Sequence, residues 1–189
     1  ETCSLDSLLR LFEIGKHISI NLVIDDFLKL INTKYDHPNI YFCLGLAFKE
    51  KWQLETAVVW FEQALLRDIS VELASECHFE IADANVWRGV DLQKTEQSCI
   101  AALDKGVVTE SKWNITLAHC YVKMGYISKA QACLDRLSDS EEPEVVMVKG
   151  LVLLKKGHIF KSQTDTEVIV HLITEYLKKN DLKKTIIKV

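Results

Sequence analysis

The sequence predicts an all-α fold, a solenoid of about five helix pairs, and three observations predict it. Turn punctuation is sparse, with two Pro and seven Gly in 189 residues, too little for the frequent turns of an all-β chain. Apolar residues make up 48%, enough for a substantial core, and they recur at helical rather than alternating spacing. A turn mark also returns at a nearly constant interval. Gly15, Trp52, Gly89, Gly125 and Gly157 each follow one helical pattern and precede another, and successive marks lie 37, 37, 36 and 32 residues apart. A period of this size indicates stacked helix pairs.

The marks divide the chain into repeats of approximately 1–36, 37–70, 71–107, 108–140 and 141–180, with a basic tail at 181–189. In the first, Leu8 and Leu11 precede Gly15, and Ile20, Ile24 and Phe27 follow it. The second is the best preserved. Tyr41, Leu44, Gly45 and Phe48 share one helix face, and Ala57, Phe61 and Ala64 share the facing one. The small residues let the two backbones approach, and the two Phe rings fill the space beside them. In the third, Ile81 and Ala82 precede Gly89, and Thr95, Cys99 and Ala102 follow. The fourth places Leu117, Ala118 and Tyr121 before Gly125, with Ala130, Leu134 and Leu137 after it. The fifth has Val146, Gly150 and Leu153 before Gly157. Its second helix is displaced to a capping box at Thr164 and Glu167, opening a helix with Ile169, Leu172, Ile173 and Tyr176 on one face. Pro38 and Pro143 stand where first helices begin, a position that tolerates Pro well. Asp68 and Ser70 supply turn or cap chemistry between the second and third repeats.

The Tyr41–Ala64 stretch resembles the tetratricopeptide pattern W-x2-L-G-x2-Y…A-x3-F, with Tyr41 in place of the Trp and Phe48 in place of the Tyr. The resemblance is specific in the second and fourth repeats, degenerate in the other three, and covers nearly the whole chain. An irregular α-solenoid of another repeat class is the alternative. The family's Pro after the second helix is replaced by Ile69. Trp52 is a second departure. Gly takes the left-handed conformation cheaply and Trp does not, so a reshaped turn is expected there, with the indole covering its neighbours. The resemblance implies a right-handed solenoid that acts as a protein–protein interaction scaffold.

Such a solenoid lines its concave side with first helices. The face about 100° round from the packing face carries Phe42, Leu46 and Lys49; Phe79 and Asp83; Ile115 and His119; and Met147 and Leu151. These nine residues form the expected groove, with Phe42, Leu46, Phe79, Ile115, His119 and Met147 partly open. A mostly apolar groove fits an amphipathic helix or an extended segment of a partner. The competing reading is that the same residues pack between repeats. A subset of tetratricopeptide domains clamps the terminal carboxylate of heat-shock chaperones with Lys, Asn and Arg in the groove. Phe42, Leu46, Phe79 and Ile115 hold such places here, and a carboxylate would lose its hydration against them. A chaperone clamp is therefore not expected.

Other function classes find little support. Net charge is −4 and the isoelectric point is about 5.9, so nothing draws the chain towards nucleic acid. An RNA-binding solenoid, with Phe42 and Phe79 stacking on bases, is the alternative function; its groove would need more positive charge. The six histidines match no zinc-ligand spacing. His119 and Cys120 are neighbours, about 100° apart on a helix, and do not form a nucleophile pair. No phosphate loop or hydrolase elbow occurs, and neither an enzyme activity nor a cofactor or metal is expected. The acidic run from Ser138 to Glu144 reads as a loop before a helix start. Six cysteines without a CxxC pair read as buried thiols in a reducing compartment, cytoplasm or nucleus. No apolar run of membrane-spanning length appears. The apolar start after Glu1 reads as a segment of a longer chain.

Overall fold

The computed structural model describes residues 4–32, 36–104, 110–137 and 142–157. Among them every regular element is an α-helix, eight in all. The all-α expectation holds there. The capping box at Thr164 and the basic tail lie outside the described residues. The chain forms two compact units, Glu1–Asp91 and Leu92–Val189, and their boundary falls inside the third repeat.

The first unit holds α1 (Leu5–Asn32), α2 (Pro38–Glu50), α3 (Leu54–Leu65) and α4 (Val71–Arg88). Each packs on the next, and α2 also touches α4. Local chemistry sets the starts. Pro38 opens α2, and Nδ1 of His37 accepts a hydrogen bond from the Asn39 N–H at 3.3 Å. Oγ of Ser70 accepts from the Leu73 N–H at 3.2 Å and caps α4, as the sequence led us to expect.

The first repeat turns later than the sequence suggested. Gly15 lies within helix, and α1 breaks at Ser19, whose extended backbone (φ −165°, ψ 111°) interrupts the helical run. The two arms of α1 close on each other at Gly15, where an added Cβ would overlap Cγ2 of Val23. Gly15 is thus a close-approach residue and not the turn. Leu11, expected to pack, is 60% exposed, while Leu8, Ile24 and Phe27 are buried.

Three first helices end in one hydrogen-bond pattern. Trp52 N–H donates to Lys49 O at 2.8 Å and Gln53 N–H to Phe48 O at 2.9 Å. Gly89 and Val90 bond back to Val86 and Asn85, and Gly125 and Tyr126 to Val122 and Tyr121, in the same way. This is the Schellman closure, in which the residue after the helix is left-handed. The φ values are 60° at Trp52, 72° at Gly89 and 81° at Gly125, with 80° at Gly157. The expectation of a reshaped turn at Trp52 is corrected. The turn keeps its geometry, and Trp adopts the conformation despite a cost of roughly 1–2 kcal/mol.

Gly45 and Phe61 form the centre of the first unit's core. Tyr41, Leu44, Gly45, Ala57, Phe61 and Ala64 are buried as the pattern required. Trp60 is half-buried between the rings of Tyr41 and Phe48, at centroid distances of 5.9 and 6.2 Å. The Arg67 guanidinium lies 3.4 Å above the centre of the Tyr41 ring and pairs with Asp36. A hydrogen bond from Arg67, then one from Tyr41, hold the Asp36 carboxyl below its ordinary pKa.

The second unit holds α5 (Leu92–Asp104), α6 (Glu110–Met124), α7 (Ile127–Asp135) and α8 (Pro143–Lys155). Again neighbours pack in order, and α6 also meets α8. Trp113, Leu117, Ala118 and Tyr121 of α6 are buried, with Ala130 and Leu134 of α7 and Leu137 just beyond it. In α8 the buried face is Val145, Val148 and Val152. Of the expected face Val146, Gly150 and Leu153, Gly150 is buried, while Val146 is half-buried and Leu153 is left exposed. Cys43, Cys77, Cys99, Cys120 and Cys133 are buried cysteines in helices.

Candidate partner-binding faces

The nine expected groove residues fall on α2, α4, α6 and α8, the helices expected to come first in their repeats. Their exposure divides them. Phe42, Phe79 and His119 are 6%, 9% and 4% exposed, so these three are covered rather than partly open. For Phe42 the cause is direct. Its ring lies 5.6 Å from that of Phe61, and it joins Tyr41, Ala57, Leu73 and Cys77 in one core cluster. Leu46, Ile115, Met147 and Leu151 remain half-exposed.

In the first unit two expected residues come together around a third that the sequence reading missed. Nζ of Lys49, on α2, lies 2.8 Å from Oδ2 of Asp83, on α4. The same ammonium bonds Oε2 of Glu80, one turn earlier on α4. All three side chains are largely shielded. Burial by itself would lower the Lys49 pKa; the charges and hydrogen bonds of Glu80 and Asp83 outweigh it and hold it above its ordinary value. The cluster carries a net charge of −1 when all three groups are ionised. A signal for Glu80 was available, since residues three apart share a helix face and an acid beside Asp83 would face the Lys49 helix.

Trp52 departs from expectation in a second way. It is 64% exposed and meets Trp87 edge-on, with centroids 5.3 Å apart and planes at 66°. The two indoles border a shallow recess of about 500 Å³ that also includes Leu54, Glu55 and Arg88. Arg88 reaches Glu55 at 3.7 Å. The indole therefore leaves most of its surface to solvent.

In the second unit, the three half-exposed groove residues are aliphatic or Met. On α6 Tyr121 is buried, and Lys129 lies 5.0 Å from its ring centre and 3.4 Å from Oε1 of Glu96. Burial first, then its hydrogen bond to Glu96, push the Tyr121 hydroxyl up to about 12. Burial likewise raises the thiols, Cys43 and Cys77 to about 12 and Cys120 to about 11. Thiols held protonated at neutral pH are poor nucleophiles. Among the described residues no three His, Cys, Asp or Glu side chains gather as a metal site would require, and no helix is long and apolar enough to cross a membrane.

No family model matches the chain. Short segments resemble curated proteins. One of 29 residues is 69% identical to glutamine–fructose-6-phosphate aminotransferase (isomerizing) of Thermococcus kodakarensis, covering 15% of this chain and 5% of that enzyme. Another of 51 residues is 47% identical to the enzyme of the same name from Methanocaldococcus jannaschii, covering 22% of this chain and 5% of the enzyme. The chain thus matches 5% of the length of these relatives. Segments of that extent carry neither fold nor activity across to this chain.

Proposed function

We propose that the chain is a non-enzymatic scaffold, a right-handed solenoid of about five tetratricopeptide-like helix pairs that holds a partner segment against its first helices. The observation that carries this reading is the recurrence of one turn. Trp52, Gly89 and Gly125 close successive first helices with the same bonds and the same left-handed φ. Independent folds of unrelated helices would have no reason to repeat that closure at a 36–37-residue interval. The second-neighbour packing of α2 on α4, and of α6 on α8, supports stacking of first helices inside each unit.

The partner is an amphipathic helix or an extended segment of another protein. In the first unit it meets Leu46 and the rim of the Lys49–Glu80–Asp83 cluster, which favours a basic side chain on the partner. In the second it meets Ile115, Met147 and Leu151. Phe42, Phe79 and His119 act beneath this surface as support. The same acidic rim opposes phosphate, so an RNA-binding solenoid is disfavoured. Five buried cysteines among the described residues, with no CxxC pair in the sequence, suit a reducing compartment, cytoplasm or nucleus.

The test is photo-crosslinking in cells. A benzophenone amino acid at Leu46, or at Ile115, should trap a defined protein partner. The same probe at Leu66, which is 77% exposed on another part of the first unit, should not. Equal labelling from all three positions, or crosslinks to RNA that weaken steeply with salt, would defeat the proposal.

A further inference from the structure

Trp52 holds a strained place in its turn without a packing reason to be there. Its φ of 60° lies in the left-handed region that Gly takes cheaply, and the residue is 64% exposed. The other turn marks show that this position asks for no side chain. At Gly89, Gly125 and Gly157 an added Cβ would meet nothing within 4 Å. Backbone strain that packing does not demand is a marker of function. The recess of about 500 Å³ beside Trp52 and Trp87 is built by the ends of α2 and α4 and the start of α3. Its polar groups are mostly donors. Trp52 offers an indole N–H, Gln53 an amide, Thr56 a hydroxyl and Arg88 a guanidinium. Gln53 stands at the start of α3, yet its side chain makes no capping bond there. Nη1 of Arg88 donates to Oδ1 of Asn85 at 3.2 Å, which leaves further N–H groups of that guanidinium to spare. Among the described residues Glu55 is the only acid on the border, and it faces Arg88 at 3.7 Å.

We propose that this recess binds an extended, proline-containing segment of a partner protein, with a prolyl ring against the Trp52 indole. Three features select that ligand. The first is the pair of indoles, since aromatic-lined surfaces receive the uncharged rings of a polyproline II segment. The second is hydrogen bonding. A polyproline II chain makes no internal hydrogen bonds and each proline lacks an N–H, so the segment presents acceptors where the recess presents donors. The third is charge. Glu55 and Arg88 offset each other, so a polyanion finds no net counter-charge, and a cationic side chain would stand beside a guanidinium. A polyproline II segment is also ordered before it binds and loses little freedom on a shallow surface. The proposal stands apart from the groove reading, because it uses the turn end of the first unit and none of the groove residues.

Fluorescence anisotropy of a fluorescein-labelled peptide of about ten prolines, titrated with the 189-residue chain, tests it. Saturable binding is expected, with a Kd on the order of 10–500 µM that changes little with salt, because no net charge is engaged. A Gly–Ser peptide of equal length should bind at least about tenfold more weakly, having no ring and more freedom to lose. Trp52→Gly removes the indole while giving the turn its preferred residue. It should weaken binding of the proline peptide at least about tenfold, with the far-ultraviolet circular dichroism still that of a folded helical chain. Gln53→Ala with Thr56→Val removes two donors and should weaken it about threefold or more. Absence of saturation at millimolar concentration, equal binding of the Gly–Ser peptide, or parental affinity in either variant overturns the proposal. So does tighter binding of an oligouridine than of the proline peptide, which would make the recess a base-stacking site.

Discussion

The Phe61 ring occupies the place where a side chain at Gly45 would stand. A Cβ at residue 45 would lie 2.7 Å from Cζ of Phe61 and closer still to Cδ1 and Cε1. Phe61 is fully buried and its ring also meets Phe42, so it has little room to yield. The α2–α3 pair therefore depends on an absent side chain on one helix as much as on a large one on the other.

Gly45→Ala should accordingly destabilise the chain by about 1–3 kcal/mol, despite the better helix propensity of Ala, because over-packing costs that much in a filled core. Phe61→Ala should cost about 3–5 kcal/mol through lost transfer energy and the cavity left behind. The double variant should recover part of the sum, since removing the ring frees the space that Cβ needs. Urea denaturation of the four proteins measures this coupling. Strict additivity would show that the two sites do not share the space.

At Trp52, two small substitutions should part company. Trp52→Ala keeps a Cβ in the left-handed conformation and gives up the edge contact with Trp87, worth about 0.5–1.5 kcal/mol; a loss near 1 kcal/mol is expected. Trp52→Gly gives up the same contact but relieves roughly 1 kcal/mol of backbone strain, so it should stay within about 0.5 kcal/mol of the parent. Thermal denaturation compares them directly. A Gly variant no more stable than the Ala variant would mean that the strain is absorbed elsewhere.

Alkali should unfold the chain in a defined window. Cys43 and Cys77 stand at about 12 against an ordinary thiol value of 9.0, and Cys120 at about 11, all raised by burial. A group whose folded pKa is raised contributes stability that is fully present below the unfolded value and lost as pH rises through the folded one. Lys49, held above its ordinary value by Glu80 and Asp83 against the effect of burial, acts in the same direction. The urea midpoint should stay level from neutrality to about pH 7.5, where the thiols are protonated in both states, and fall steadily above about pH 9. Cys43→Ala should make that fall shallower. A midpoint that stays level to pH 11 would refute the assignment.

The helices and the tight pair of the second repeat were legible in the sequence because small residues and rings at helical spacing leave few other packings. Gly45, Ala57, Phe61 and Ala64 sit where that argument put them. The turn at Trp52 runs against residue preference for an energetic reason: a cost of roughly 1–2 kcal/mol is small beside the packing of two helices on each side. Ser19 gave no signal, because an extended break needs neither Gly nor Pro. Which of the expected groove residues are exposed was half legible. First helices can be named from the repeat, but which of two adjacent faces a ring enters depends on the neighbouring pair, and the Phe42 ring turned inward towards Phe61. Glu80 gains its place in the cluster from the Lys49 ammonium reaching across from α2.

The meeting of Trp52 with Trp87 also gives the chain an optical signature. Indoles 5.3 Å apart and steeply inclined are placed to couple their electronic transitions, which would add a paired band to the ultraviolet circular dichroism. Of the four tryptophans, Trp52, Trp60 and Trp87 belong to the first unit and Trp113 alone to the second. The coupled band therefore reports the first unit, while fluorescence from a variant with those three changed to Phe reports the second. The melting of each half can be followed in the intact chain with no dye attached.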